Sequence, residues 1–371
     1  MRPAWHSFHL ALGLALGGFF TLLGLTGSVL VFYVEIDRWL HPVPVRDAQS
    51  SPPLEAYLAR LETRFPDRTG AWRLEFPADD SAPITARYYQ PVERADREFA
   101  PLLVTLEPST AEVLRQRFWG DDALTFIYDL HYSLLADRVG RWAVGALGVF
   151  LLLSLASGLY LAWPRGRQSR ALPRLRPRRG AARANYDLHL AGGVYGGLVL
   201  VVLAFTGAVL ALPEWVKPAL ASASPLFQAP VLTSQPQGRT RLPLDELVAA
   251  ARREFPGSRL AWVETPGSRS GVFRINFHQQ GEPGRRFPRT NVWVDPYSGA
   301  VLATRDGLQE SRGDSFLNWM HPLHNGEALG LAGRVLVFLV GLLPALLLAT
   351  GLTRWRQKAA ARSQVRQRRS G

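Results

Sequence analysis

Residues 9–30 read HLALGLALGGFFTLLGLTGSVL, and residues 189–210 read HLAGGVYGGLVLVVLAFTGAVL. Ten of these 22 aligned residues are identical without a gap, including the leading histidine, two glycines and a Thr-Gly pair near the end. Each stretch is apolar and long enough to cross a hydrocarbon layer of ~30 Å at ~1.5 Å per residue. The pair therefore predicts a membrane protein with an internal two-fold sequence repeat.

A second pair of segments extends the repeat to the other apolar runs. Residues 131–163 align with residues 324–356 at ten of 33 positions, again beginning with a histidine. Four apolar runs result, at residues 10–34, 142–163, 190–213 and 331–352. The first run is about 25 residues, longer than the ~7–15 apolar residues of a signal peptide, so we expect it to remain as a transmembrane helix.

The two polar segments between the runs carry helix and strand patterns. The first predicts a helix at 54–65 and strands at 71–76, 84–90 and 102–106, and the second a helix at 244–255 and strands at 260–264, 272–277, 291–295 and 300–303. The predicted fold is a membrane α-helical bundle of four transmembrane helices with two periplasmic α+β lobes.

The predicted organisation has eight parts. Transmembrane helices occupy residues 1–34, 131–163, 185–213 and 324–355, lobes occupy 35–130 and 214–323, an arginine-rich linker occupies 164–184, and a basic tail occupies 356–371.

The net charge of +13 comes from the membrane flanks. Residues 164–184 hold eight arginines and residues 354–371 hold seven basic residues, both without an acid. Setting these and Arg2 aside leaves 27 basic and 30 acidic residues. This pattern follows the positive-inside rule, so we expect both termini and the linker in the cytoplasm of a bacterium and the lobes in its periplasm. The expected partner is the lipid bilayer, and not a nucleic acid.

The chain has no cysteine, so thiolate metal sites, iron–sulfur clusters and covalently attached haem are excluded. Histidines are the remaining candidates. The repeat aligns His9 with His189 and His131 with His324, each at the start of an apolar run. Two imidazoles facing each other across a helix bundle can ligate the iron of a b-type haem. We therefore predict two bis-histidine haem b sites, His9 with His189 and His131 with His324; His6 and His321 are alternates.

Further repeated residues fit this interpretation. Glycines follow His9 and His189 at the fourth and eighth positions, which would clear one helix face for a porphyrin; they are Gly13, Gly17, Gly193 and Gly197. Arg141 and Arg334, ten residues after the other two histidines, are candidate partners for haem propionates.

These residues resemble the PepSY-associated transmembrane family. The resemblance rests on the two stretches quoted first, on LHYSL (130–134) and SGLYLAWPR (157–165), on LHNGE (323–327) and on VWVDPYSGAVL (292–302). The family is also called iron-regulated membrane proteins, and includes ferric-siderophore reductases of the inner membrane. The resemblance implies haem-bearing helices, with His9, His131, His189 and His324 as ligands, and reduction of a ferric siderophore in the periplasm. The first lobe has Pro108-Ser109-Thr110 where the family has an Asp-x-x-Gly turn.

The leading hypothesis is an oxidoreductase that carries electrons from the haem at His9 and His189 to the haem at His131 and His324, and on to a ferric siderophore. No catalytic residue is identified. No nucleotide or flavin motif occurs, so the electron donor is a separate cytoplasmic reductase or a quinol. Two alternatives remain: a non-enzymatic PepSY sensor or protease-inhibitor module on a membrane anchor, and a quinol-linked carrier like cytochrome b.

The distance between the two predicted haems is a difficulty. A straight helix from His131 to Trp163 would be ~48 Å long. Either the cytoplasmic histidines lie deeper than the hydropathy suggests, or aromatic residues such as Tyr195 or Phe150 bridge the gap, or the two haems do not exchange electrons directly.

Overall fold

The computed structural model describes residues 2–42, 51–78, 82–163, 180–236 and 238–370. Most of the predicted arginine-rich linker, residues 164–179, lies outside this description. The helices are α1 (Arg2–Val31), α2 (Tyr33–Leu40), α3 (Leu54–Arg64), α4 (Ala123–Ser133), α5 (Asp137–Ala162), α6 (Ala181–Ala191), α7 (Gly197–Ala211), α8 (Pro213–Ala221), α9 (Leu244–Glu254), α10 (Arg312–Asn325), α11 (Gly330–Gly341) and α12 (Leu343–Ser370). The strands are β1 (Trp72–Glu75), β2 (Ile84–Tyr88), β3 (Leu102–Leu106), β4 (Val113–Phe118), β5 (Arg259–Glu264), β6 (Phe273–His278), β7 (Thr290–Val294) and β8 (Val301–Arg305).

Four helical stretches in the described part of the chain are long and apolar enough to cross a membrane. They are Arg2–Val31, Asp137–Ala162, Ala181–Ala211 and Glu327–Val365. Each covers all or nearly all of one of the four apolar runs predicted from the sequence. Their apolar side chains cover most of the helix circumference, as expected for helices surrounded by lipid and by one another.

The chain divides into two compact units. The helical unit comprises Met1–Tyr33, Ile127–Val216 and Met320–Gly371, and the sheet unit comprises Val34–Phe126 and Lys217–Trp319. Each unit therefore draws on both halves of the sequence.

The sheet unit holds one antiparallel sheet of eight strands, in the order β4-β3-β2-β1-β5-β6-β7-β8. The prediction of two separate lobes is corrected here, because β1 pairs with β5 through Arg73 with Glu264 and Leu74 with Val263. If the two sets of four strands were separate sheets, β1 and β5 would be edge strands with unpaired backbone groups. Their pairing satisfies the hydrogen bonds of both strands.

Strand alternation produces the core of the sheet unit. Trp72 and Leu74 of β1 are buried, whereas Arg73 between them lies on the opposite face. Helices α3 and α9 cover the buried face, and Leu61 and Leu247 from these helices are fully buried in the same core. The predicted helices and strands agree with the structure to within about two residues, but the edge strand β4 was missed because arginines occupy alternate positions in it.

Helices α3 and α9 cap each other. The amides of Leu54 and Glu55 donate to the Asp245 carboxylate at 2.8 and 3.0 Å, and the Leu244 amide donates to Glu55 at 2.6 Å. First-turn amides have no partner inside their own helix, and a carboxylate there satisfies them and complements the helix dipole. Each half of the sequence therefore supplies the cap that the other half needs.

Tight breaks precede α5 and α11. Between α4 and α5 the backbone is left-handed at Leu134 and Leu135, with φ of 49° and 61°. A Cβ on Gly140 would lie 1.6 Å from the Ser133 carbonyl oxygen, and one on Gly333 would lie 2.2 Å from the Gly326 carbonyl oxygen. Only glycine permits this close approach. The breaks separate the short helices that carry His131 and His324 from the apolar helices that follow.

Candidate cofactor-binding site

The helical unit brings the four repeat-selected histidines together in two pairs. The ring centres of His9 and His189 lie 6.4 Å apart, and those of His131 and His324 lie 6.1 Å apart. The ring planes cross at 83° in the first pair and at 45° in the second. In each pair, one histidine comes from each half of the sequence, as the repeat predicts.

These separations suit a metal ion held between two imidazoles. A metal at ~2 Å from one nitrogen of each ring places the two ring centres about 6 Å apart. Two nitrogens are too few for a bare metal ion, and no group of three or more His, Cys, Asp or Glu side chains placed to hold one occurs among the described residues. A haem brings four nitrogen ligands of its own and needs two more. The donor set in each pair therefore fits a haem iron.

His131 is held by helix α1. Its Nδ1 lies 3.0 Å from the Leu23 carbonyl oxygen and 3.1 Å from Thr26 Oγ1. The Thr26 hydroxyl donates its own proton to the Leu22 carbonyl at 2.7 Å, so its oxygen is free to accept from the ring.

His324 is held by helix α7 in the same way. Its Nδ1 lies 3.1 Å from the Leu203 carbonyl oxygen and 3.0 Å from Thr206 Oγ1. The Thr206 hydroxyl donates to the Val202 carbonyl at 2.7 Å. The Thr-Gly pair that the two halves share is thus the structural element that binds the histidine ring.

His9 and His189 are held by the other two membrane helices, α5 and α12. His9 Nδ1 lies 3.1 Å from the Ser154 carbonyl oxygen and 3.0 Å from Ser157 Oγ, both on α5. His189 Nδ1 lies 2.9 Å from Thr350 Oγ1 on α12. All four rings therefore use Nδ1 for a hydroxyl on a neighbouring helix.

These contacts fix the tautomer. A carbonyl oxygen can only accept, so Nδ1 of His9, His131 and His324 carries the proton and donates it. The Nε2 lone pair is then available for a metal. No hydrogen bond from a described residue reaches Nε2 of any of the four rings. A ligating histidine that donates its other N–H to a carbonyl is the usual arrangement around a bound metal, because it orients the ring and raises its basicity.

A glycine follows each of the four hydroxyl residues and lies against the ring. A Cβ on Gly27 would lie 2.8 Å from His131 Cε1. The corresponding distances are 3.0 Å from Gly158 to His9, 3.0 Å from Gly207 to His324 and 3.5 Å from Gly351 to His189. We call these four dipeptides the hydroxyl–glycine steps: Thr26-Gly27, Ser157-Gly158, Thr206-Gly207 and Thr350-Gly351.

Three of the four glycines that were predicted to clear a helix face for a porphyrin have open space beside them. A Cβ on Gly13 would meet nothing within 4 Å, and one on Gly193 or Gly197 would meet only a leucine methyl at 3.9 Å. Gly17 differs, since its Cβ would lie 2.7 Å from Leu348 Cδ1. Gly17 therefore serves close packing of α1 against α12, and its role beside a cofactor stays a prediction. A π-helical turn, Gly192–Gly196, follows His189, and such turns are frequent at functional sites.

The histidine pairs lie at two levels of the helical unit. On α1, His9 and the Thr26 that holds His131 are 17 residues apart, and His189 and Thr206 have the same spacing. At ~1.5 Å per residue this is about 25 Å. The ~48 Å length of a straight helix from His131 to Trp163 does not separate the two levels, because α4 ends at Ser133 and the His9 ring lies beside Ser157, inside α5.

The rings of the alternate histidines contact other residues. His6 Nε2 is 3.2 Å from Lys358 Nζ, and His321 Nδ1 is 3.3 Å from Asn325 Nδ2. Arg141 forms an ion pair with Glu214, and Arg334 Nη2 donates to the Val31 carbonyl at 2.8 Å. The arginines therefore have protein partners, and their binding to propionates stays a prediction.

Sequence reasoning missed the hydroxyl residues. The repeated Thr-Gly pair was visible in the sequence but carried no predicted role. The available signal was that a serine or threonine precedes a glycine once in each of the four apolar runs.

The helices and the sheet together define a membrane helical protein with a β-sheet unit and two levels of paired histidines. Comparison with known families matches residues 6–358 to the PepSY-associated TM region, and the chain belongs to this family. An uncharacterized protein of Pseudomonas aeruginosa is 29% identical over 275 residues. That match covers 66% of each of the two chains, just under two thirds of the relative's length.

Proposed function

We propose that this protein carries electrons across the bacterial inner membrane through two b-type haems and reduces a ferric siderophore on the periplasmic side. The observation that supports it most directly is the presence of two imidazole pairs, with ring centres 6.4 and 6.1 Å apart and every Nδ1 bonded to a neighbouring helix. When bound, haem supplies one-electron chemistry. Each ferric ion reduced accepts one electron, and the resulting Fe(II) binds hard oxygen ligands less tightly than Fe(III).

The chain's own residues would hold, orient and insulate the cofactor. The hydroxyl–glycine steps fix the direction of each ring, and the apolar helices exclude water from around the pairs. The two levels lie about 25 Å apart along α1. Phe20, which is 7% exposed, lies on α1 between them. Tyr195 and Phe150, the bridging residues considered from sequence, are 53% and 42% exposed, which makes Phe20 the better-placed aromatic residue.

The proposed orientation rests on charge. In the sequence, the arginine-rich segment 164–184 follows the end of α5, shortly after the Ser157 that holds His9, and basic residues follow the Thr350 that holds His189 on α12. By the positive-inside rule, this is the cytoplasmic end. Electrons would then enter at His9 and His189, leave at His131 and His324, and reach the substrate in the periplasm.

The first test is an absorption spectrum of the purified full-length protein. We expect a reduced-minus-oxidised b-type spectrum with two haems per chain. His9→Ala and His131→Ala should each remove one haem, and His6→Ala should remove none because its ring pairs with Lys358. A haem-free spectrum would refute the proposal and favour the non-enzymatic sensor or inhibitor module.

The second test separates the possible electron donors. Protein in sealed vesicles is reduced either with a quinol analogue or with a membrane-impermeant reductant on one face, and a ferric hydroxamate is placed on the other face. The proposal predicts Fe(II) formation from reductant at the end bearing His9 and His189. Reduction by quinol alone would indicate the quinol-linked carrier instead.

A further inference from the structure

We propose that the hydroxyl–glycine steps are positioning residues that tune the bound iron, and that the serine in one of them makes His9 a less polarised ligand than His131 and His324. The inference rests on the proposed function, because it concerns haem ligation at the same four histidines. It adds roles for Thr26, Ser157, Thr206 and Thr350, none of which contacts the iron directly.

The four steps share one geometry, which argues against chance contact. In each, a helix residue with a hydroxyl lies 2.9–3.1 Å from Nδ1 of a histidine on another helix, and the next residue is a glycine under the ring. The steps are also reciprocal. Helix α1 carries His9 and holds His131, while α5, which follows His131, holds His9.

The second half of the sequence repeats this exchange. The helix that begins with His189 holds His324 through Thr206, and α12, which follows His324, holds His189 through Thr350. Each half therefore orients its own two rings, and each pair of rings joins the two halves.

Ser157 departs from the threonines in where its hydroxyl donates. The threonine hydroxyls donate mainly to the carbonyl four residues earlier, at 2.7 Å in all three cases. The Ser157 hydroxyl donates to the Ser154 carbonyl at 2.8 Å, which is the same oxygen that accepts from His9 Nδ1. The carbonyl that accepts from His9 therefore also accepts from Ser157 at 2.8 Å. The Leu23 and Leu203 carbonyls, which accept from His131 and His324, lie farther from the Thr26 and Thr206 hydroxyls, at 3.2 Å, and the shorter bonds of those hydroxyls go to other carbonyls.

Sharing weakens the bond that polarises the ring. An imidazole whose Nδ1 proton is strongly bound becomes a better electron donor through Nε2, and a better donor stabilises Fe(III) over Fe(II). Removing an acceptor should therefore raise the midpoint potential of the haem that the ring ligates. Freeing the Ser154 carbonyl should lower the potential of the haem at His9.

The test uses the full-length, haem-loaded protein and redox titration followed by absorbance. Thr26→Val removes one acceptor from His131 while keeping the side-chain shape, and Ser157→Thr offers His9 a hydroxyl that can turn to the carbonyl four residues earlier. We expect Thr26→Val to raise one midpoint potential and Ser157→Thr to lower the other. A tenfold change in preference for Fe(III) corresponds to ~59 mV. The one-haem variants His9→Ala and His131→Ala assign each potential to its pair.

Several outcomes are decisive. Two bound haems with both potentials unchanged in Thr26→Val and Ser157→Thr would overturn the inference and leave the proposed function intact. Loss of only the haem at His131 in Thr26→Val would support a positioning role. If Thr26→Val lost both haems, the milder Thr26→Ser would decide, since a positioning role requires its effect to be confined to one haem. Absence of haem from the unaltered protein would refute the proposed function itself.

Discussion

The substitution Gly27→Ala should lower the haem content from two haems per chain to one. The added Cβ would lie 2.8 Å from His131 Cε1, whereas ordinary contacts begin at 3.4 Å. The ring would have to move by about 0.6 Å, which exceeds the ~0.5 Å within which a functional group must be held for its geometry to stay productive. The ring cannot easily move, because Leu23 and Thr26 bind its Nδ1.

The chain offers a matched control in Gly351. There, a Cβ would lie 3.5 Å from His189 Cε1, an ordinary contact, so Gly351→Ala should leave both haems in place. Alanine is a better helix former than glycine by ~1 kcal/mol, so neither substitution should unfold its helix. Gly207→Ala and Gly158→Ala, at 3.0 Å, should lie between these extremes.

Haem content per polypeptide is the measurement, taken as the pyridine haemochrome against the protein concentration. We expect about one haem per chain for Gly27→Ala and two for Gly351→Ala, with circular dichroism unchanged in both. Equal haem content in the two variants would show that the glycines do not set the position of the rings, and the argument from close contact would fail.

Three further outcomes follow from the same structure. Burial alone would raise the pKa of Asp37, but two hydrogen bonds of 3.0 Å from Arg117 hold that pKa below its usual value. Its contribution to stability is therefore present above about pH 4 and is lost as the pH falls through the lowered pKa. Asp37→Asn should reduce the free energy of unfolding by about 1–2 kcal/mol at pH 7 and by little at acidic pH. Thermal unfolding in detergent measures this, and an equal loss at both pH values would contradict the prediction. Asp245→Ala removes the acceptor of two helix amides and should destabilise the chain by ~1 kcal/mol, whereas the exposed neighbour Glu246→Ala should have little effect in the same measurement. Since the ring planes cross at 83° in one histidine pair and 45° in the other, electron paramagnetic resonance of the oxidised protein should show two distinct low-spin ferric signals, and a single signal would contradict the different geometries.

The sequence predicted much of this molecule because its strongest signals are local. Apolar runs, strand alternation and the turns between them depend on neighbouring residues, so the four membrane helices and seven of the eight strands could be anticipated. The pairing of the histidines was also accessible, since the repeat aligned His9 with His189 and His131 with His324.

What could not be predicted depends on contacts between distant segments. The joining of β1 to β5 requires two edges to meet that are separated by about 190 residues. The hydrogen bond from His131 to Thr26 requires α4 to end before α5, which the close approach of Gly140 to Ser133 determines. The hydropathy of the sequence does not indicate the break between α4 and α5.

The junction between β1 and β5 has a consequence for how such a chain could arise. Arg73 pairs with Glu264 and Leu74 with Val263, so β1 from the first half of the sequence and β5 from the second half run antiparallel to each other. Glu55 and Asp245 exchange helix caps in the same manner. These are the contacts of a symmetric dimer, in which one surface meets its own copy. A polypeptide of half the length could thus assemble as a homodimer with the same sheet, and a fusion of two such copies would allow the halves to differ, as Ser157 and Thr350 do.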